Sequence, residues 1–325
     1  MQSAKLGVIR SVGSTAFISQ AFNSVNITVS TVSSLRFSLF ALFAMEYSKA
    51  ITSSDAQLWV DRIPALDSNY IWAINHVDHA HCVIIDPGAA APVINYLERA
   101  ERLLGAILIT HRHADHIAGL SELRKAYPGV PVYGPDHELI GADIIVSEHG
   151  GNIGVKSSVS LFDNALVLDV LHVPGHLKEH VAYSSTAATA PWVFSGDIVF
   201  SAGCGRNFEG HPSELHQSIL RLSELSDNTV LFCVHEYTEA NLAFARKIDP
   251  NNKAIRYYST RVSLLRSQGG PTSPTTVRLE KLINPFFRCD RAEIKSGVAR
   301  MARLSVESDA ECFATMRKLK DSFIA

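Results

Sequence analysis

A chain of 325 residues, 46% of them hydrophobic and 19% charged, is long and apolar enough to build one large domain or two ordinary ones, which excludes a disordered or low-complexity protein. Thirty basic residues against 32 acidic ones leave a formal net charge of −2, without the basic excess of a general nucleic-acid or anionic-membrane binder. Five scattered cysteines, Cys82, Cys204, Cys233, Cys289 and Cys312, include no CxxC pair. They argue against a disulfide framework or a thiolate zinc site, so the chain reads as intracellular and reduced. All fourteen histidines fall between His76 and His235, which concentrates imidazole chemistry in the middle of the chain.

Residues 1–50 hold ten serines, the basic residues Lys5, Arg10, Arg36 and Lys49, and one acid, Glu46. The apolar run 35–45 is too short to cross a bilayer as a helix. Residues 1–54 are therefore set apart as a leader: a transit-peptide-like segment, a disordered tail, or a start assigned too early with Met45 as the true one. The expected compartment is the cytoplasm, or the mitochondrial matrix if the leader is a transit peptide.

From Leu58 onward the pattern is mixed α/β. Short β-branched and aromatic runs at 58–63, 69–75 and 81–86 predict strands. The histidine-rich segment 76–81 between the last two falls where a hairpin turn is needed and reads as a solvated turn. Apolar spacing predicts a helix over 92–104, and the continuous run 105–110 predicts a strand buried on both faces. Further strands are expected at 166–173, 180–184 and 192–195, a helix at 213–225, and a last buried strand at 229–234. Beyond it the strand signal vanishes, and 237–325 read as several helices. The organisation expected is a leader (1–54), an α/β catalytic domain (55–236) and a helical domain (237–325).

The chemistry collects at the ends of the buried strands. In Thr110-His111-Arg112-His113-Ala114-Asp115-His116, His111 and His113 lie two apart in an extended segment and face the same way, so both can grip one cation. Asp115 and His116 follow a turn and can reach a second site. Imidazole with carboxylate suits zinc or a similar divalent ion, with iron and manganese also possible. Other strand ends supply further candidates: His176 after Pro174-Gly175, Asp197 after Ser195-Gly196, and His235 before Glu236-Tyr237. A glycine before a ligand lets the backbone come close to a crowded site. His172 and His180 read as core or supporting residues.

These motifs resemble the metallo-β-lactamase superfamily, and within it glyoxalase II, the hydroxyacylglutathione hydrolases. The resemblance runs from about Leu58 to the C-terminus, with narrower matches at 63–72, 203–210, 234–245, 284–288 and 316–323. It implies an αββα sandwich followed by a smaller all-helical C-terminal domain. It also implies two divalent metal ions, most simply zinc, with His111, His113 and His176 holding one and Asp115, His116 and His235 the other. Asp197 would bridge both, with Asp115 and Asp197 as the catalytic carboxylates. Substrate contacts carried over from the family fall on Arg206, Phe208, Tyr237, Arg317 and Lys320. Positions i and i+3 of a helix are neighbours, so the last two can share the glycine carboxylate of glutathione. The implied reaction is hydrolysis of a glutathione thioester, chiefly S-D-lactoylglutathione, by a hydroxide bridging cations roughly 3.5–4 Å apart. The partner expected is this small molecule, with no nucleic acid and no membrane, and the protein is expected to be a monomer.

Some positions depart from the family pattern: Leu177-Lys178-Glu179 after His176, Ile198 after Asp197, and Val234 before His235. Glu179 is expected to disturb the site most, by adding a carboxylate beside it. Other readings are a β-lactamase, lactonase, nuclease or one-iron persulfide dioxygenase of the same superfamily, or a non-catalytic metal-binding relic. The helical C-terminal domain with Arg317 and Lys320 speaks against the first four, and retention of all seven expected ligands against the last.

Overall fold

The protein is described from a computed structural model, which covers residues 51–136, 138–148, 156–185, 187 and 189–324. The leader expected over 1–54 lies outside the described residues as far as residue 50. Residues 51–54 join the fold: β1 (Ile51–Thr52) pairs antiparallel with β2 (Leu58–Ala65), and the Ser54 amide donates to Thr189 O at 2.8 Å.

Two sheets face each other. The first continues through β3 (Asn69–His76), β4 (His81–Ile85), β5 (Leu103–Leu108), β6 (Val132–Gly134) and β7 (Ile144–Ile145), in the spatial order β1-β2-β3-β4-β5-β6-β7. The second is built from β8 (Ser158–Leu161), β9 (Leu166–His172), β10 (Val181–Ser185), β11 (Trp192–Gly196), β14 (Val230–Cys233) and β15 (Thr275–Thr276). Its order is β15-β14-β11-β10-β9-β8, and β12 (Val199–Phe200) with β13 (Gly203–Cys204) forms a separate hairpin.

Side chains alternate across each strand, and this decides the layers. In the first sheet Trp72, Ile74, Val83, Ile85 and Leu108 point inward to meet Leu168, Tyr183, Phe194 and Phe232 of the second. The Trp72 and Phe232 rings meet edge to face at 5.1 Å, and Phe194 stacks on Phe232 at 4.6 Å. Ile71, Ala73, Ile84 and Ile107 point the other way, against Val93 and Leu97 of helix α1 (Ala90–Ala100). The short helix α2 (Ala114–Ile117) leads into α3 (Leu120–Ala126), whose Leu120 and Leu123 join the same outer cluster. Helix α4 (Pro212–Ser223) adds Leu215, Ile219 and Leu222 to the inner core. A reciprocal cap fixes its start: the His211 ring accepts from the Ser213 amide, and the Glu214 carboxylate accepts from the His211 amide.

The helical region follows as α5 (Thr238–Ile248), α6 (Lys253–Ser267), α7 (Val277–Ile283), α8 (Ala292–Ala302) and α9 (Asp309–Asp321). It is not free of strand, since Thr275–Thr276 pairs with the edge of β14. The helix expected over 92–104 stops at Ala100, because Glu101 turns left-handed (φ 53°) and sends Leu103–Leu108 into the sheet. Within the segment 76–81, residues 77–80 form the expected turn between β3 and β4, while His76 ends β3 buried and His81 opens β4. All five cysteines are buried and free. Among the described residues no helix is long and apolar enough to cross a membrane.

Candidate metal centre

Each candidate ligand lies just beyond a strand. His111 and His113 follow β5, and α2 turns the chain so that Asp115 and His116 come back over the same end. His176 follows β9, Asp197 follows β11 and His235 follows β14. Because β11 and β14 run parallel with Gly196 beside Cys233, Asp197 and His235 emerge side by side. Gly196 (φ 49°) and Gly175 (φ 126°) both lie in backbone that favours glycine, and a Cβ on Gly175 would sit 2.4 Å from Leu215 Cα.

The seven side chains converge. His111, His113, His176 and Asp197 form one group of donor atoms and Asp115, His116 and His235 another, the atoms of each lying within 4.8 Å of one another. In the first group His111 Nε2 and His113 Nδ1 are 3.2 Å apart, His113 Nδ1 and His176 Nε2 2.9 Å, and His176 Nε2 and Asp197 Oδ2 3.4 Å. In the second, Asp115 Oδ2 is 3.3 Å from His235 Nε2 and 3.7 Å from His116 Nε2. Asp197 Oδ1 stands 3.4 Å from both of those nitrogens. Metal–ligand bonds of 2.0–2.1 Å at tetrahedral angles put neighbouring donors about 3.3–3.4 Å apart, so both groups have the spacing of a small divalent ion's shell. His116 Nε2 and Asp197 Oδ1 are buried with no hydrogen-bond partner, which is costly unless a cation completes them. The two oxygens of Asp197 face different groups.

The ring orientations are fixed from behind. His116 Nδ1 lies 3.0 Å from Asp86 Oδ2, His176 Nδ1 2.9 Å from Arg206 O, and His111 Nδ1 3.1 Å from the Thr110 hydroxyl. That hydroxyl donates in turn to Asp86 at 2.7 Å. A proton held on Nδ1 leaves Nε2 free to ligate, the support usual for metal-binding histidines. Asn69 donates to Asp115 Oδ2 at 3.0 Å. His180 stacks on His111 at 4.6 Å and accepts the Asp197 amide, so it supports the site from within the core. Electrostatics favour cations: burial opposes charge on His235, yet the Asp115 and Asp197 carboxylates hold it up at about 8. His235 beside Asp115, with His116 and Asn69 nearby, outweighs burial and holds that carboxyl far below its usual range. Burial works against ionised Asp197, but His116 and His235 keep it well below the usual carboxylate range. A metal ion would replace the protons these histidines otherwise take up.

Above the two groups opens a cavity of about 530 Å³ whose walls include His113, Asp115, His176, Asp197 and His235 together with Arg206, Phe208, Tyr237, Arg317, Lys320 and Asp321. All five expected substrate contacts therefore border it. Phe208 stands edge-on to His113 and His176 at 5.3 and 5.2 Å, and Tyr237 stacks on His235 at 4.6 Å. Arg206 is exposed, whereas Arg317 is buried, its guanidinium donating to Cys204 O, Gly205 O and Asp321 Oδ1.

The family model "Metallo-beta-lactamase superfamily" matches residues 65–235, and "Hydroxyacylglutathione hydrolase C-terminus" matches residues 236–323. A protein of Photobacterium profundum named hydroxyacylglutathione hydrolase is 46% identical over 266 residues, 82% of this chain and all of that one. One of the same name from Aliivibrio fischeri (strain MJ11) is 43% identical over 82% of this chain and all of that protein. The chain belongs to the hydroxyacylglutathione hydrolase family. Its fold is similar, more distantly, to the crystal structure of ETHE1 from Myxococcus xanthus. That likeness has a TM-score of 0.51 at 22% identity, covering 80% of this chain and 90% of the other.

The departures from the family pattern resolve into packing. Leu177, Ile198 and Val234 are buried in the core. Glu179 does not turn toward the ligands. It pairs with Arg112, whose guanidinium also takes Glu209, so the carboxylate expected to disturb the site is held on a cation instead of facing the ligands. This Glu179–Arg112–Glu209 clamp ties the ligand loop to the loop carrying Arg206 and Phe208. Other supporting residues were not singled out from the sequence: Asp86, Thr110, Asn69, and the pair Glu280 and Asn284. From α7, Glu280 accepts the Ala202 amide at 2.8 Å, and Asn284 donates to Gly203 O at 2.9 Å. They hold the β12–β13 hairpin, which contributes Phe200 and Cys204 to the cavity wall.

Proposed function

We propose that this hydrolase cleaves S-(2-hydroxyacyl)glutathione thioesters, chiefly S-D-lactoylglutathione to D-lactate and glutathione, the second step of methylglyoxal detoxification. The observation that carries the reading is two groups of His/Asp donors beside a cavity whose other walls include the cations Arg206, Arg317 and Lys320 and the aromatic Phe208 and Tyr237.

His111, His113 and His176 would hold one divalent ion and Asp115, His116 and His235 a second, with Asp197 offering one oxygen to each. Ions so held supply a water of lowered pKa and polarise a carbonyl oxygen. Asp115 and Asp197 are the carboxylates placed to orient the attacking water. Phe208 and Tyr237 offer apolar faces on either side of the ligands, narrowing the space open to bulk water around the thioester. Lys320 and Arg206 supply positive charge for the carboxylates of glutathione, and Arg317 stiffens the wall between them. Cys204 borders the cavity, but burial pushes its thiol up, so it is no thiolate nucleophile. The leaving group is itself a thiolate and needs little help from a general acid. Zinc suits the donors, which iron and manganese also accept. On this reading the protein is a cytoplasmic monomer, or a matrix protein if residues 1–54 direct import, with 55–236 as the catalytic domain and 237–325 as the substrate-binding one.

The test compares initial rates on S-D-lactoylglutathione and on the S-D-lactoyl thioester of coenzyme A. The glutathione thioester should be favoured by at least about 100-fold in kcat/KM. Equal rates on both, or none on the former with metal bound, would sink the substrate assignment.

A further inference from the structure

We propose that Asp321 acts as a built-in stand-in for a substrate carboxylate and sets how tightly the cavity holds an anionic thiol ligand. The proposal rests on the thioesterase reading and deepens it by naming a residue that controls affinity for substrate and product.

Asp321 ends α9, four residues after Arg317, and borders the cavity together with Arg206 and Lys320. Its Oδ1 accepts from both Arg317 Nε (3.1 Å) and Arg317 Nη2 (2.9 Å) and stands 3.8 Å from Arg206 Nε. The Nε–Nη2 edge is the one with which an arginine grips a carboxylate bidentately. The remaining Nη1 is directed at Cys204 O (2.9 Å) and Gly205 O (3.3 Å). The side chain of Arg317 is 6% exposed and that of Asp321 41%, so an incoming carboxylate meets the anion before the cation behind it. It must displace Asp321 from Arg317 or settle beside it against Arg206 and Lys320. Both routes place like charges close together, and both weaken binding. Glutathione carries the same carboxylates after the thioester bond is cut as before. Asp321 therefore weakens product and substrate alike and keeps the product from occupying the cavity.

Asp321→Asn tests this, since the amide oxygen can still accept from Arg317 while the charge is gone. KM for S-D-lactoylglutathione and the inhibition constant of glutathione should both fall about fivefold, the scale of a partly screened like-charge contact. The gap should narrow as salt is raised. A thioester whose glycine carboxylate is converted to an amide should respond less than twofold. A rise in KM would overturn the proposal, making Asp321 a strut for Arg317 or a partner for the substrate ammonium. An equal fall for the amide would overturn it as well. If the metal-loaded wild-type protein hydrolyses neither thioester, the thioesterase reading fails, and calorimetric titration with glutathione then decides on Asp321. Fivefold tighter binding by Asp321→Asn upholds its role; equal or weaker binding overturns it.

Discussion

Asp86→Asn is the sharpest probe of how the protein prepares its ligands. Asp86 touches none of the ions the site would hold. Its Oδ1 accepts the Thr110 amide at 2.8 Å, and its Oδ2 takes the Thr110 hydroxyl at 2.7 Å and His116 Nδ1 at 3.0 Å. Asparagine has the same shape and tolerates the left-handed backbone there (φ 52°). Neither orientation of its amide satisfies all three partners. With the oxygen toward the Thr110 amide, the NH₂ group faces the ring N–H of His116; turned over, it faces the backbone N–H. In the first case His116 can move its proton to Nε2, which closes the atom meant for the metal. The wild-type and variant side chains occupy a fully buried site, so the mismatch costs about 2 kcal/mol, or roughly 30-fold in affinity for the ion His116 would hold. That falls within the 10–100-fold range typical of such supporting groups. Titration of stripped protein against a chromophoric chelator measures it. Thioester turnover should fall at limiting metal and return at saturating metal. Affinity within threefold of wild type for every bound ion would refute the argument that Asp86 sets the His116 tautomer.

Glu280 is buried, and burial raises its carboxyl from 4.5 to about 7 despite hydrogen bonds from Thr275, Ala202 and Asn284. The folded state thus binds a proton that the unfolded chain has released between pH 4.5 and 7, so this residue's contribution is fully present below about 4.5 and declines until about 7. Glu280→Gln should gain up to about 3 kcal/mol over wild type at pH 8 and close to nothing at about pH 4 or below. Urea unfolding at the two pH values checks it, and an equal gain at both would contradict the reasoning. Arg112→Ala removes the clamp between Glu179 and Glu209. As a partly exposed network it should cost about 1 kcal/mol of stability or less. It should raise KM about fivefold by freeing the Phe208 loop, with metal content unchanged and Arg112→Lys recovering part of the loss. Unchanged KM would make the clamp a surface feature only.

The candidate ligands were legible because they follow a rule of position: histidine and aspartate just beyond the ends of buried strands, with glycine preceding His176 and Asp197. The supporting residues were hidden, because their partners lie far off in sequence. Asp86 reads only as the end of the strand predicted over 81–86, before Pro87-Gly88, until β4 and β5 are paired and Thr110 and His116 fall beside it. Glu179 reads as an intruder until Arg112, 67 residues earlier, is placed against it. Arg317 is the instructive case. Its i, i+3 relation to Lys320 suggested two cations sharing a carboxylate, while its i, i+4 relation to Asp321 was equally present in the sequence and is the one the helix uses. The boundary between α1 and β5 was missed because apolar spacing runs on to Leu104, and the left-handed turn falls on Glu101, a residue that does not announce it. The two-residue strands β1, β7, β12, β13 and β15 are too short to leave a periodic trace.

The central claim is thioester hydrolysis dependent on two divalent ions held by seven named side chains. Its most direct test strips the protein with a chelator and returns zinc stepwise, recording bound metal per chain and turnover of S-D-lactoylglutathione in the same samples. The account predicts no turnover in stripped protein, uptake of two ions per chain, and activity that rises with their binding and is absent from Asp197→Ala. Full turnover in the stripped protein, or in Asp197→Ala, would contradict it.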